Sequence, residues 1–258
     1  MIQMGLKWDE ILCSINLIGN TPGYNESANN FVKTVIDKSC DITTLPEFLS
    51  NITCIGDYAF YNCHNLSLTS LPEGITSIGH SAFSGCTNLA LTSLPEGITF
   101  IGRGAFSGCT NLALTSLPNC ITSIDTSTFL GCDNLSLTSL PVGITNISAG
   151  AFAGCGKLAI ATLPEGLTYI GATAFQNCVN LAITSLPAAL MTIASQSFRG
   201  CDNLTFLTFK GTPTTIEDDA FIDCTNLTTI NVPWAEGAVA GAPWGATNAT
   251  INYNYTEQ

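Results

Sequence analysis

A phenylalanine recurs at intervals of 23 residues, at Phe60, Phe83, Phe106, Phe129, Phe152, Phe175, Phe198 and Phe221. Each is followed, three residues later, by a cysteine: Cys63, Cys86, Cys109, Cys132, Cys155, Cys178, Cys201 and Cys224. A fixed period in this range is the mark of a solenoid, in which each repeat is one coil that buries its apolar side only against its neighbours. The 258 residues therefore form one elongated unit with two ends. We expect an N-terminal cap over residues 1–41, repeats over 42–233 and a C-terminal cap over 234–258.

Within a coil, Leu89-Ala90-Leu91-Thr92 alternates apolar and small residues and predicts a short strand. Ile98-Thr99-Phe100-Ile101 predicts a second strand on another face. Pro95-Glu96-Gly97 between them is a turn, and Gly102 to Phe106 is a tight bend or single helical turn that brings the phenylalanine inward. The residue before each repeat cysteine is Asn62, Gly85, Gly108, Gly131, Gly154, Asn177, Gly200 or Asp223. Glycine, asparagine and aspartate tolerate positive φ, so a left-handed backbone is predicted there. The Gly102 row also holds Asp125, Ser148, Ala194 and Glu217, which predicts ordinary negative φ. An asparagine two residues after most of the cysteines is expected to bond to the backbone.

Twelve cysteines suggest a disulfide framework, but the spacing opposes it. Equivalent residues of successive coils stack about 4.8 Å apart with parallel side-chain vectors, whereas a disulfide needs facing Cβ atoms about 3.8 Å apart. The eight repeat cysteines are expected to be a ladder of buried thiols. Cys13, Cys40, Cys54 and Cys120 lie off that row, and a Cys13–Cys40 bridge in the N-terminal cap stays open.

Ala28, Phe31, Val32, Val35 and Ile36 share one helical face, predicting a helix over about 26–38 that covers the first coil. Three extra residues in the first repeat predict a loop near Phe48 to Asn51. The tryptophans, Trp8, Trp234 and Trp244, all fall outside the repeats, where large rings can seal an end. Ile251 to Tyr255 alternates as a terminal strand that closes the last coil. Its alternative role is an open edge for homo-association.

Charged residues make up 10% of the chain and the formal net charge is −12, which disfavours nucleic acid and anionic membrane surfaces as partners. Membrane insertion is not expected, because no apolar run reaches about 18 residues. The start carries Lys7, Asp9 and Glu10 where a leader peptide would need an apolar centre. His64 and His80, the two histidines, sit in non-equivalent positions with no nucleophile arrangement around them. An enzyme is not expected, and neither is a cofactor. Glu217-Asp218-Asp219 with Asp223 has the character of a solvated acidic bend rather than a metal site.

The motif Ile78-Gly79, Ala82-Phe83, Cys86, Leu89, Leu94-Pro95 resembles the BspA-type leucine-rich repeat over about residues 42–233. The resemblance implies a right-handed leucine-rich repeat solenoid of about nine coils, β-rich with short helical or 3-10 turns. The usual pattern puts apolar residues three, six and eight after the cysteine. Most repeats here use three, five and eight (Leu89, Leu91, Leu94), and the last returns to the usual form (Leu227, Ile230, Val232).

The outward positions of the first strand are small throughout, as in Ala90 and Thr92 or Ser136 and Thr138. Variation gathers on the second strand and the bend after it, which makes Phe100, Arg103 and Tyr169 the candidate anchors, with Tyr58, His80 and Asn146 beside them. Relaxed drift at exposed positions would produce the same variation. Proteins similar to this family are commonly bacterial surface or secreted adhesin-like molecules, and similar repeats occur in bacteriophage structural proteins. The expected function is non-catalytic binding of a protein or glycan at a cell or particle surface. The alternative is a passive spacer, a self-assembling scaffold or a bacteriophage structural component. An extracellular or cell-surface location follows from the resemblance, with virion and cytoplasm left open.

Overall fold

The computed structural model describes residues 53–256. The predicted helix over 26–38, the loop near Phe48 to Asn51 and the Cys13–Cys40 pair lie outside them. The described chain is a parallel β-solenoid of coils about 23 residues long.

One side of the solenoid carries two-residue strands: β1 (Cys54–Ile55), β2 (Ser77–Ile78), β3 (Phe100–Ile101), β4 (Ser123–Ile124), β5 (Asn146–Ile147), β6 (Tyr169–Ile170), β8 (Thr192–Ile193) and β10 (Thr215–Ile216). They form a three-stranded sheet, β1-β2-β3, and a five-stranded one, β10-β8-β6-β5-β4. Each register step is one repeat, as in Asn146 opposite Tyr169. The isoleucine of each strand points into the core and the residue before it points outward. This is the second strand predicted from the sequence.

The first predicted strand is largely absent. Leu89 to Thr92 forms no strand, and bonds between coils are sparse here, as in Ala90 N–H to the Leu68 carbonyl at 3.1 Å, with one isolated parallel bridge between Ser139 and Thr162. Strands appear on this side only towards the C-terminus: β7 (Ser185–Leu186), β9 (Phe206–Phe209), β11 (Thr229–Asn231) and β12 (Thr250–Asn252), in the order β12-β11-β9-β7. The cause lies in where the buried leucines fall. Leu91 and Leu94 are three apart, leaving Thr92 and Ser93 both outward and breaking the two-residue alternation that a strand requires. In β9, Leu207 and Phe209 are two apart and both buried, while Phe206 turns outward. The usual pattern thus returns one coil earlier than the sequence suggested.

The expected helical or 3-10 turns are also absent. No helix occurs among the described residues. After the strand, the chain makes successive turns, with Ala105 N–H bonded to Gly102 O at 3.1 Å, Ser107 N–H to Gly104 O at 3.0 Å and Cys109 N–H to Phe106 O at 3.0 Å. Left-handed residues between the turns prevent a helix from propagating. All eight positions before the repeat cysteines have positive φ, from 57° at Asn177 to 78° at Gly85. A second left-handed row accompanies them: Tyr58, Ser81, Gly104, Ser127, Gly150, Thr173 and Gln196.

The core is a continuous stack. The phenylalanine rings from Phe60 to Phe221 lie face to face, with centroids 5.2–5.7 Å apart and planes within 10°. Beside them the thiols of Cys86, Cys109, Cys132, Cys155, Cys178, Cys201 and Cys224 are buried, and each donates to the carbonyl of the phenylalanine 26 residues earlier at 2.9–3.1 Å. Cys63, the first of the row, departs from the expectation and is disulfide-bonded. At the C-terminal end, Trp234 and Trp244 pack edge-on, centroids 6.3 Å apart, and both contact Phe209.

Candidate recognition face

The β1–β10 side presents one outward side chain per coil, in the order Cys54, Ser77, Phe100, Ser123, Asn146, Tyr169, Thr192 and Thr215. Phe100 is 45% exposed. Asn146 and Tyr169 are directly paired and half-buried. Phe100 and Tyr169 stand three coils apart, with Ser123 and Asn146 between them.

Around Phe100 the structure gathers three of the predicted residues. The His80 ring meets the Phe100 ring edge-on, centroids 6.0 Å apart. His80 Nδ1 accepts the Arg103 main-chain N–H at 3.0 Å, and His80 N–H donates to Asp57 Oδ1 at 2.7 Å. These two bends thus satisfy an amide with a side chain from the coil before. Tyr58 N–H donates to His80 O at 2.8 Å, placing a 51% exposed ring at the N-terminal end of the same cluster.

The described cations are few. Arg199 pairs with Asp223 at 3.0 Å and Lys210 with Glu165 at 2.8 Å. Arg103 is exposed and takes part in no ion pair among the described residues, in a chain of net charge −12.

Tyr61 was not anticipated. It is exposed and packs edge-on against Tyr58, centroids 5.8 Å apart. Its row (Tyr61, Ser84, Ser107, Leu130, Ala153, Gln176, Arg199, Ile222) varies as much as the Phe100 row, so the same comparison of repeats would have found it. Met191, in the otherwise threonine row just before the strands, is likewise exposed. No group of three or more histidine, cysteine, aspartate or glutamate residues is placed to hold a metal ion among the described residues. No helix there is long and apolar enough to cross a membrane.

Coils of this length, closed by a stacked phenylalanine core and carrying short parallel strands on one side, define a leucine-rich repeat solenoid. The family model for the BspA-type leucine-rich repeat region matches residues 37–158 and 122–236 in six copies, and the chain belongs to that family. A leucine-rich repeat protein from Bacteroides ovatus has a similar structure, at 24% identity and a TM-score of 0.55 over 81% of this chain and 59% of that one. A leucine-rich cell surface protein from Faecalibacterium prausnitzii aligns at 20% identity and a TM-score of 0.48, covering 80% of this chain and 78% of that one. The Treponema pallidum leucine-rich repeat protein is 33% identical over 51% of this chain and 62% of its own, with a TM-score of 0.43. This chain thus spans about three fifths of the Bacteroides protein, whose likeness concerns the fold. No curated protein matches the sequence.

Proposed function

We propose that this chain is a non-catalytic recognition module of the adhesin kind, which holds a protein or glycan partner at a cell or particle surface. The observation that carries the reading is the outward row of β1–β10. Its spacing stays constant at one residue per coil while its side chains change from coil to coil, and Phe100 stands exposed, edge-on to the His80 ring whose Nδ1 accepts the Arg103 main-chain N–H. Aromatic and arginine side chains are the anchors that dominate interfaces. The other side of each coil offers small residues such as Thr92, Thr115 and Thr138, which supply little contact area. An extracellular or cell-surface location accords with the family.

Binding of labelled protein to intact host epithelial cells and to extracellular matrix tests this reading. Saturable binding that is lost when Phe100, Arg103 and Tyr169 are replaced together by alanine supports it. Binding that survives the replacement moves the site elsewhere. Absence of binding to either material favours a bacterial-surface or virion partner.

A second reading, self-assembly into a scaffold, is favoured by β12. It pairs with β11 on one side and is the last strand of its sheet, so among the described residues its other edge is unpaired. Association that rises with concentration and is abolished by Ile251→Pro would support this second role.

A further inference from the structure

The ribbon of β1–β10 strands is interrupted once among the described residues, between β3 and β4. Elsewhere along it, amides flanking each strand bond to the coil behind. Thr99 N–H reaches Thr76 O at 2.9 Å and Gly102 N–H reaches Ile78 O at 2.8 Å; Thr145 N–H reaches Thr122 O and Ser148 N–H reaches Ile124 O, both at 2.9 Å. The equivalent amides of Thr122 and Asp125 make no such bond to Thr99 and Ile101. The bend side of the same step stays closed, with Gly104 N–H on Thr126 O and Phe106 N–H on Thr128 O, both at 2.9 Å. The step is therefore open along one side only.

Two other measures agree. Phe106 and Phe129 have the widest ring separation in the stack, 5.7 Å. A Cβ placed on Gly131 would lie 4.0 Å from the Gly108 Cα, against 3.7 Å and 3.6 Å at the steps before and after.

Thr128 departs from its row in this step. Its row holds Ala59, Ala82, Ala105, Ala151, Ala174, Ser197 and Ala220, and Thr128 itself is 1% exposed. Ser197 is an internal control. Its hydroxyl donates to Ala194 O at 2.8 Å just as that of Thr128 donates to Asp125 O at 2.9 Å, yet β6 and β8 beside Ser197 remain paired. Unlike that of Ser197, the Thr128 hydroxyl also reaches Gly102 O across the step, at 3.5 Å, and Thr128 adds a γ-methyl group where its row otherwise holds alanine or serine. We propose that Thr128 is a wedge that makes this step a hinge, with Phe100 at its lip, so that the strand face bends between β3 and β4.

Amide hydrogen exchange on the full chain tests this residue by residue. The amides of Thr122 and Asp125 should exchange about tenfold or more faster than those of Thr145 and Ser148, since they lack the bonds that protect the latter. Thr128→Ser, which keeps the hydroxyl and removes the methyl, should slow both to the rates of their equivalents. The reciprocal Ser197→Thr should speed exchange at Met191 and Ala194, whose amides now bond to Thr168 and Ile170 at 2.9 Å. Equal protection at all four sites in the unmodified protein would overturn the hinge. Fast exchange at Thr122 and Asp125 that persists in Thr128→Ser would overturn the wedge.

Discussion

The Cys132 sulfur lies 3.0 Å from the Phe106 carbonyl oxygen, so the thiol of one coil caps a main-chain acceptor of the coil before it. Six other thiols repeat the contact. These cysteines act as small core residues whose thiols add a second bond to a carbonyl that already accepts the main-chain N–H of its own coil's cysteine, as Phe106 O does from Cys109 at 3.0 Å.

Burial pushes these thiols up, to about 12 at Cys109 and Cys155 and about 11 at Cys224, with Cys132, Cys178 and Cys201 also well above the ordinary value. In the unfolded chain a thiol ionises near pH 8.5. Above that pH the unfolded state has released protons that the folded state keeps, so stability falls as pH rises. It is fully present below about pH 8.5 and is lost towards the folded values of 11 to 12. Each such thiol contributes about 1.4 kcal/mol per pH unit. Under reducing conditions, urea unfolding should show stability steady up to pH 8 and collapsing near pH 10. A midpoint unchanged at pH 10.5 would contradict the burial.

The same burial governs reactivity. Cys120 is exposed, while Cys86, Cys109, Cys132, Cys155, Cys178, Cys201 and Cys224 are buried. Brief alkylation of the native protein at pH 7.5, followed by peptide mapping, should modify Cys120 and leave those seven intact. All seven should react once the chain is unfolded.

Phe129 lies mid-stack between Phe106 and Phe152, at 5.7 and 5.5 Å, and is fully buried. Phe129→Ala should cost about 3–5 kcal/mol, read from the urea midpoint. An unchanged midpoint would remove the ring stack from the core.

The second left-handed row yields opposite effects from related substitutions. Thr173 is β-branched and held at φ 54°, a conformation that costs side-chain-bearing residues about 1–2 kcal/mol. Thr173→Gly should therefore stabilise the protein by about 1 kcal/mol, after allowing for the backbone entropy of glycine. Gly104→Ala, at φ 64°, should destabilise it by a similar amount.

The repeat period and the phenylalanine row were legible because each depends on a single residue type at a fixed spacing. The left-handed residue before each cysteine was legible for the same reason, since Gly, Asn and Asp recur there. The row through Tyr58, Ser81, Ser127, Thr173 and Gln196 was not, because bonds between coils hold its backbone. Tyr58 N–H bonds to His80 O and Ser81 N–H to Arg103 O, and such contacts override local preference. The strand predicted at Leu89 to Thr92 failed for a local reason, two consecutive outward residues. In the Cys201 coil, Phe206 and Leu207 are both apolar, and composition alone did not show which one turns inward. Of the candidate face, the residues were legible, but the edge-on contact of His80 with Phe100 depends on how coils stack.

The measurement closest to the central claim compares two triple variants for saturable binding to host cells and matrix. One replaces Phe100, Arg103 and Tyr169 with alanine; the other replaces Thr92, Thr115 and Thr138, exposed on the other side of the coils. Both should unfold near the midpoint of the unmodified protein. Binding should be lost in the first and retained in the second. Retention in the first with loss in the second would place recognition on the small-residue side and contradict it.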